Sequence, residues 1–272
     1  MPTNSPPDPP PDLPHRPPPG PTQLPRFSII TCTWNSAATL ADTLASVHSQ
    51  TCQDLEHIFV DAGSTDATLG LIDAYPGTKR VLHGVTGGIS RAMNAGILAA
   101  RGEFVAHLHS DDYYAAPDVL ERVARRFDES GAAWVVGQIR VLKDGHLVPP
   151  YAMCPFSYRA YASGHAAIAH PAVFVRRALF GQTGMFDEGL RYAMDIDLWL
   201  RLSARTPPAL IVQPLTVFRE HAGSVSSANK LRARQEEFRV RRRYMRHAPL
   251  AFAIYCLRYL KRRRALRLET TA

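Results

Sequence analysis

The stretch Phe104-Val105-Ala106-His107-Leu108-His109-Ser110-Asp111-Asp112 carries most of the information about the fold of this chain. It begins as an apolar run typical of a buried strand and ends in two adjacent carboxylates. In an open α/β sheet, ligands bind at the carboxyl ends of the strands, where acids can meet a substrate or a hard cation such as Mg²⁺ or Mn²⁺. The alternative is that Asp111 and Asp112 cap the helix predicted at Pro117-Asp118-Val119-Leu120, and these residues alone leave both interpretations open.

Strands and helices alternate upstream of the acid pair. The predicted strands are Phe27–Thr33, Leu55–Asp61, 81–83 and Phe104–Leu108, and the predicted helices between them are 36–50, 67–75 and 89–100. This order predicts right-handed βαβ units and a Rossmann-like, mostly parallel α/β sheet flanked by helices. Such a sheet is typical of nucleotide-binding proteins.

The pattern becomes less regular downstream of the acid pair. A hairpin is expected around Lys143-Asp144-Gly145, because an Asp-Gly pair tolerates positive φ angles. Further predicted elements are a returning strand at 172–175, a helix at 195–203, a last strand at 209–217 and an exposed basic helix at 232–247. We expect mixed strand pairing at this end of the sheet.

Composition narrows the class of protein. The chain has 272 residues, 46% of them hydrophobic, which is enough for a large core. Its four cysteines lack CxxC spacing, which argues against a zinc site or a disulfide scaffold and favours a reducing compartment. The sequence shows neither a signal-peptide pattern nor an apolar run of about 20 residues, the length that crosses a bilayer. We therefore expect a cytoplasmic protein.

The charge and proline distributions divide the chain into three parts. Residues 1–25 hold 12 of the 22 prolines and predict a disordered, Pro-rich arm. Residues 26–229 form the predicted folded domain. The net charge of +8 arises from residues 230–272, which carry 14 Lys or Arg against three acids, so the rest of the chain has a net charge of −3. A folded body with that charge argues against a nucleic-acid partner.

The basic segment 230–272 has two possible roles. Arg241-Arg242-Arg243 and Lys261-Arg262-Arg263-Arg264 flank the apolar run 250–257, which makes this tail amphipathic. Such a helix can lie on an anionic surface, such as the inner face of the plasma membrane. Alternatively, it packs against the protein and keeps a solvated basic face.

Three further segments carry polar groups at element ends, and each is weak evidence alone. In Asp61-Ala62-Gly63-Ser64-Thr65-Asp66, Asp61 ends a strand and can accept hydrogen bonds from a nucleobase or ribose, while Asp66 can cap the next helix. The segment from Gly87 to Gly96 opens a helix that suits an anionic ligand, or simply makes a tight turn. Asp195 and Asp197 begin a predicted helix, where Asp197 can pair with Arg201.

Taken in order, these segments resemble family 2 glycosyltransferases of the GT-A fold. The resemblance runs from about Arg26 to Ser227 and depends on six spaced motifs: Thr31-Cys32-Thr33-Trp34-Asn35, Val60 to Asp66, Gly88 to Gly96, Ser110-Asp111-Asp112, Asp195 to Arg201, and Arg219-Glu220-His221-Ala222-Gly223-Ser224-Val225-Ser226.

The resemblance implies an enzyme that transfers a sugar from a nucleotide-diphosphate sugar, with a UDP-sugar as the leading expectation, to an acceptor hydroxyl with inversion. It also implies a divalent cation, Mg²⁺ or Mn²⁺, and no covalent intermediate. A saccharide or a lipid-linked acceptor in surface polysaccharide or glycolipid assembly is expected. The processive Gln-x-x-Arg-Trp signature is missing, which favours addition of a single sugar.

The resemblance also implies roles for particular residues. Asp195 corresponds to the catalytic base and Asp111 to the metal-binding acid, and His221 matches a position that can reach the metal or the diphosphate. The residues expected to bind the donor nucleotide are Thr31, Thr33, Asn35, Asp61, Gly88, Arg91, Asn94, His109, Ser110 and Asp112.

Two positions depart from the family pattern. His109 stands where the metal motif usually has its first Asp, and Met93 stands where many relatives have an Arg, which Arg91 can replace. These departures leave open a nucleotide-sugar-binding protein without catalytic activity, although the joint presence of Asp111, Asp195 and His221 argues against it. A glycoside hydrolase needs two carboxyl groups facing each other across the substrate, which the sequence does not establish.

Overall fold

The computed structural model describes residues 24–149, 156–220 and 229–271, and within these ranges nine strands form one sheet. The strands are β1 (Phe27–Thr33), β2 (Leu55–Asp61), β3 (Lys79–Leu82), β4 (Phe104–His107), β5 (Tyr113–Tyr114), β6 (Trp134–Lys143), β7 (His146–Val148), β8 (Val173–Arg176) and β9 (Ala209–Glu220). The helices are α1 (Ala37–His48), α2 (Thr68–Ala74), α3 (Ile89–Ala99), α4 (Val119–Ser130), α5 (Tyr158–Ala162), α6 (Ala178–Thr183), α7 (Met194–Arg205), α8 (Lys230–Arg243) and α9 (Pro249–Thr271).

The sheet has the strand order β3-β2-β1-β4-β8-β6-β9-β5, and β7 pairs with β6. The first four strands are parallel, β8 runs antiparallel to β4 and β6, and β6 and β9 are parallel. The predicted α/β architecture, with a parallel first half and mixed pairing in the second, is confirmed. The predicted hairpin is also present, with positive φ angles at Asp144 (49°) and Gly145 (78°) between β6 and β7.

Both faces of the sheet are covered. Every residue of β1 and β2 is buried, as expected for central strands between two helical layers. Ile30 and Ile58 point to the face covered by α3 and α7, whereas Phe27 and Ile29 belong to the opposite core with Phe127 of α4. This alternation follows from the two-residue period of a strand. Because both faces of β1 are apolar, each can be buried under its own layer of helices.

The C-terminal helices pack against the body of the protein. On α8, the side chains of Glu236, Glu237, Val240 and Arg241 are buried. The expectation of an exposed basic helix over 232–247 is therefore wrong for this face, because its two acids and Arg241 have partners in the protein. Among the described helices, none combines the length and apolarity needed to cross a membrane.

The strand order places a topological switch point between β1 and β4. β2 lies on one side of β1 and β4 on the other, so the connections that leave these strands diverge and open a crevice at their carboxyl ends. Three segments singled out in the sequence follow these ends, namely the turns after β1, β2 and β4. The fold thus brings them to one edge of the sheet.

Candidate active site

Hydrogen bonds connect the turn after β1 to the acid turn after β4. The Ser110 hydroxyl donates to the Ser36 hydroxyl over 2.8 Å, and the Thr39 hydroxyl donates to the Ser110 carbonyl over 2.8 Å. The backbone N–H of Ser36 donates to the Thr68 hydroxyl at the start of α2. Ser36 therefore joins all three strand ends, and Ser110 is half-buried at their junction.

Asp61 shapes the turn after β2. Its carboxylate accepts four hydrogen bonds, from the hydroxyls of Thr33 (2.9 Å) and Ser64 (2.5 Å) and from the backbone N–H groups of Gly63 and Ser64 (both 2.8 Å). Burial alone raises the pKa of Asp61, but the hydrogen bonds outweigh it and hold that pKa below its ordinary value. Because these donors occupy both oxygens, the primary role of Asp61 is to form the turn, and its contact with a base or ribose stays a prediction.

Asn35 joins this turn to the end of β1. It has a positive φ angle of 47°, its side-chain oxygen accepts from the Thr65 backbone N–H over 2.8 Å, and its own N–H donates to the Ser64 hydroxyl over 2.9 Å. Asn35 is exposed. It remains a candidate for contact with the donor.

Thr31 and Thr33 lie inside the sheet. The Thr31 side chain has no exposed surface, and its hydroxyl donates to the Leu108 carbonyl over 2.7 Å and lies 2.9 Å from His57 Nε2. Thr33 is buried and donates to Asp61. Both threonines hold neighbouring strands together, so we leave them out of the proposed donor contacts.

The two acids after β4 differ in their environment. Asp112 is fully buried and accepts a hydrogen bond from the Arg219 backbone N–H over 3.1 Å, whereas Asp111 is half-buried. Burial and, secondarily, the adjacent Asp111 charge raise the pKa of Asp112 well above its ordinary value. Helix α4 begins at Val119 with Asp118 as its N-cap, so neither acid caps it and the capping interpretation is wrong.

The acid pair has the chemistry of a site for a hard cation. Asp112 Oδ2 is buried without a hydrogen-bond partner among the described residues, and a nearby positive charge would relieve the repulsion between the two acids. The described residues contain no group of three or more His, Cys, Asp or Glu side chains placed to hold a metal ion, and His221 lies outside them. A cation such as Mg²⁺ is commonly bound through one or two carboxylates together with water and substrate phosphates.

His109 is an uncharged ring beside the acid pair. It stacks on His170 with ring centroids 5.0 Å apart, and the His107 ring lies 5.6 Å from His170. Burial lowers the pKa of each of these histidines, that of His107 to about 3, so all three are neutral at physiological pH. The departure at position 109 therefore replaces a negative charge by a neutral aromatic side chain.

Two glycines open α3 next to an arginine. Gly87 and Gly88 have φ angles of 102° and 105°, which L side chains rarely adopt. A Cβ on Gly87 would lie 3.0 Å from Arg91 Cδ, so the Arg91 side chain covers the glycine turn. Gly88 and Arg91 are both exposed. The partial positive charge of the helix start and the guanidinium thus offer one place for an anionic ligand.

Asn94 fastens the loop that leads to α7. Its amide donates to the Phe186 carbonyl (2.9 Å) and to Glu188 Oε1 (3.0 Å), and its side-chain oxygen accepts from the Phe186 N–H over 3.0 Å. One helical turn earlier, the Ser90 hydroxyl donates to the Leu190 carbonyl. Asn94 is buried by these contacts, so we leave it out of the proposed donor contacts.

Asp195 and Asp197 lie in the first turn of α7 but have different surroundings. Asp197 is buried and paired with Arg201 (2.9 Å) and the Tyr244 hydroxyl (2.8 Å), which agrees with the predicted structural pairing to Arg201. Asp195 is half-buried and accepts a hydrogen bond from the Ile196 N–H over 2.7 Å. Burial raises the pKa of Asp195 to about 6, which makes it the candidate proton acceptor of the pair.

Glu236 is a residue of this region that the sequence reasoning missed. Its Oε1 atom accepts hydrogen bonds from the backbone N–H groups of Arg191 (2.9 Å), Tyr192 (2.6 Å) and Ala193 (2.9 Å), immediately before α7. The signal in the sequence was the Glu236-Glu237 pair inside an otherwise basic helix. The prediction of a separate basic tail leaves this pair of acids without a role.

The mixed sheet, with the acid turn and the glycine-opened α3 at its switch-point crevice, is the architecture that this chain shares with GT-A glycosyltransferases. A family model described as "Glycosyl transferase family 2" matches residues 28–180, and the chain belongs to this family. The predicted family and fold are thereby confirmed. Family membership makes this chain a glycosyltransferase.

Similar proteins agree with this assignment. A "PGL/p-HBAD biosynthesis glycosyltransferase" of Mycobacterium bovis is 32% identical over 199 residues, which cover 71% of this chain and 75% of the relative. The structure of S. aureus TarS 1-349 in complex with UDP-GlcNAc has a TM-score of 0.66 at 21% identity and covers 79% of this chain and 65% of TarS 1-349. The mannosyltransferase PcManGT from Pyrobaculum calidifontis, in complex with GDP-Man and Mn²⁺, has a TM-score of 0.61 at 20% identity, with 91% and 77% coverage.

Proposed function

We propose that this chain is a metal-dependent, inverting glycosyltransferase that adds a single sugar from a nucleotide-diphosphate sugar to an acceptor hydroxyl, in surface polysaccharide or glycolipid assembly. The observation that carries the proposal is the double role of α3. Its start, at Gly88 and Arg91, suits an anionic ligand, while Ser90 and Asn94 tie it to the loop that leads to Asp195. One helix thus fixes the proposed diphosphate site relative to the proposed base.

The donor occupies the crevice at the switch point in this proposal. Asn35, Asp61 and Ser110 border it from the turns after β1, β2 and β4, and Arg91 supplies a positive charge for the diphosphate. TarS and PcManGT were each solved with a nucleotide sugar, which supports the same ligand class here. A UDP-sugar is our leading candidate for the donor.

Asp111 would hold a divalent cation, Mg²⁺ or Mn²⁺, and His221 is the second proposed ligand. When bound, such a cation offsets the negative charge that builds up on the departing nucleoside diphosphate. Asp112 is proposed to support the turn that carries Asp111. The Arg219 backbone N–H donates to the Asp112 carboxyl group and keeps it in place. The neutral His109 leaves Asp111 as the main negative charge of the turn.

Asp195 is the proposed base. As the acceptor oxygen bonds to the anomeric carbon, the bond from that carbon to the diphosphate oxygen breaks on the opposite face, which inverts the configuration. The proton of the acceptor hydroxyl passes to the Asp195 carboxylate and then to solvent. A pKa of about 6 suits this role near neutral pH, because the group is largely ionised and still a useful proton acceptor.

Thermal shift with UDP-, GDP- and dTDP-sugars, with and without Mn²⁺, tests donor binding. We expect at least one donor to raise the Tm by roughly 5–10 °C at 100 times its Kd, because a ligand that binds only the folded state stabilises it. If none of them shifts the Tm under any metal condition, the donor-binding part of the proposal is wrong. A shift without sugar transfer to any acceptor would instead favour the binding protein without catalysis, which the neutral His109 also permits.

We also propose that α9 places the enzyme on an anionic membrane surface. Leu250, Ile254, Leu257 and Leu260 are 43–73% exposed and recur at helical spacing, so they form one apolar stripe. The opposite face of α9 packs through Tyr255 and Tyr259 on Phe238 of α8. A surface groove of about 800 Å³ on α8 and the adjoining turn is lined by Arg239, Arg242, Arg243, Met245, Arg246 and His247. The apolar stripe and these basic groups fit an anionic lipid surface.

Vesicle co-sedimentation tests this surface. We expect the triple variant Leu250→Glu, Ile254→Glu, Leu257→Glu to bind phosphatidylcholine vesicles containing phosphatidylglycerol at least about tenfold more weakly than the wild type, because it removes apolar burial and adds repulsion. Leu98→Glu is the control, since Leu98 is 75% exposed on α3, away from this stripe. Equal binding of the triple variant and the wild type would exclude α9 as the membrane contact.

A further inference from the structure

We propose that α8 belongs to the catalytic apparatus, with Glu236 and the Glu237–Arg241 pair as positioning residues that fix the first turn of α7 and the charge around Asp195. This inference rests on the proposed function, because it assigns these residues a purpose through Asp195. It concerns a segment that lies beyond the family match to residues 28–180.

Glu236 fixes the backbone that leads into α7. One buried carboxylate oxygen gathers three consecutive backbone N–H groups, from Arg191 to Ala193, at 2.6–2.9 Å. Charge-assisted hydrogen bonds of this kind are about twice as strong as neutral ones. Asp195 follows two residues later, so a change in this backbone moves the proposed base directly.

The Glu237–Arg241 pair is buried on α8, directly after Glu236 in the chain. Glu237 accepts from Arg241 Nε over 2.9 Å and from Arg234 Nη1 over 2.7 Å. Arg241 also donates to the Tyr161 and Ala162 carbonyls, and its guanidinium lies 5.3 Å from the centre of the Tyr161 ring. These hydrogen bonds join the pair to α5.

These charges act on Asp195 in opposite directions. Burial is the main cause of the raised pKa of Asp195; among the charged groups, Glu237 raises this pKa further and Arg241 lowers it. From α5, the buried Tyr161 also interacts electrostatically with Asp195. Replacing the carboxylate or the guanidinium should therefore shift the ionisation of Asp195 in opposite directions.

A buried ion pair is seldom the most stable way to fill such a space. Apolar residues of similar volume often stabilise a protein as well or better, so ion pairs are weak evidence for a purely structural role. The first turn of α7 is already held by the ion pair between Asp197 and Arg201 and by the hydrogen bond from the Tyr244 hydroxyl to Asp197. The Glu237–Arg241 pair has a clear purpose if its charges tune the ionisation of Asp195.

The first experiment measures transfer kinetics of position-236 variants of the full chain. We expect Glu236→Ala to lower kcat about tenfold with the donor KM changed less than about twofold, because the base moves while the donor crevice does not. Glu236→Gln, which keeps an acceptor oxygen, should recover part of the loss. Gln235→Ala, at the exposed neighbouring position, is the matched control. Equal losses in kcat and in donor affinity would reject a positioning role for Glu236.

The second experiment follows pH. We expect the acidic limb of kcat/KM to move to lower pH in Glu237→Gln and to higher pH in Arg241→Met, by about half a unit or more in each case. The unfolding free energy of each variant is also measured from pH 4 to 8, with and without the added substitution Asp195→Asn. The difference between the two reports the ionisation of Asp195 and does not require turnover. Shifts of opposite sign in this cycle support the inference.

The inference would be overturned if the pH at which Asp195 ionises, taken from the unfolding free energies, were the same in the wild type, Glu237→Gln and Arg241→Met, whatever their activity. If the wild type transfers no sugar from any donor but the stability cycle shows the opposite shifts, the proposed function fails and the electrostatic coupling of α8 to Asp195 stands. The two failures are thus distinguishable.

Discussion

We expect Asp195→Asn to reduce sugar transfer at least about 100-fold and to leave donor binding unchanged. The amide has nearly the shape of the carboxyl group but cannot take the proton of the acceptor hydroxyl, and general base catalysis typically contributes this much or more. Because Asp195 is proposed to meet the acceptor rather than the nucleotide, kcat should fall while the donor Kd stays the same.

The measurement combines transfer kinetics with donor titration. Asp73→Asn is the matched control, because Asp73 is an exposed aspartate on α2 and the change has the same chemistry. Transfer by Asp195→Asn within a few-fold of the wild type would remove Asp195 from its proposed role. A large loss of donor affinity would instead place it in the donor site.

The pH dependence of the same variant provides an independent check. In the wild type, transfer should decline about tenfold per pH unit below about pH 6, because Asp195 becomes protonated there. Its folded-state pKa is raised from 3.8 to about 6, so the folded protein holds this proton more tightly than the unfolded chain, and the group lowers stability as pH rises through that window. Asp195→Asn should therefore stabilise the protein by on the order of 2–3 kcal/mol at pH 7 and by little near pH 4.

The second large effect is expected for Asp111→Asn, which should reduce transfer at least about 100-fold and abolish the Mn²⁺-dependent part of the donor-induced Tm increase. The substitution removes the half-buried charge of the acid turn and keeps its shape. Hard cations prefer charged oxygen ligands, so the amide binds them poorly. The backbone contacts of Ser110 and Asp112 stay in place and keep the turn folded.

Thermal shift across a Mn²⁺ titration separates two causes of lost activity. We expect Asp111→Asn without ligands to remain folded, because the amide keeps the shape of the side chain and the backbone contacts of the turn are unchanged. Donor stabilisation should then become independent of Mn²⁺, whereas Asp73→Asn keeps the wild-type dependence. An unchanged Mn²⁺ response in Asp111→Asn would show that the cation, if it is used, binds elsewhere.

The parallel half of the fold could be predicted because its signals are local. β1 and β2 have the predicted bounds, since a continuous apolar run between turn residues is sufficient to define a buried strand. The hairpin at Asp144 and Gly145 likewise depends on the backbone freedom of two residues. The acid turn after β4 could also be predicted as a candidate ligand site from local sequence, because ligands bind at the carboxyl ends of the strands in an open α/β sheet.

A motif by itself does not show which of its residues face the crevice. Thr31 and Asn94 belong to matching motifs, but the Thr31 hydroxyl is used between strands and the Asn94 amide holds the 186–190 loop. A motif records which residue types recur and not which way each side chain points. Their burial depends on β4 and on Phe186, which lie far from them in the sequence.

By itself, the sequence determined the α/β class, the glycosyltransferase family and the acids at the strand ends, because periodicity and spaced motifs are properties of short segments. Only the tertiary structure decided that Asp197 also accepts a hydrogen bond from the Tyr244 hydroxyl while Asp195 lies outside that network, and that α8, expected to be part of a basic tail, holds the backbone before α7 through Glu236. These features depend on burial and on charges brought together over some 40 residues of chain, as Glu236 and Ala193 are. Such contacts arise when layers pack, and no local pattern encodes them.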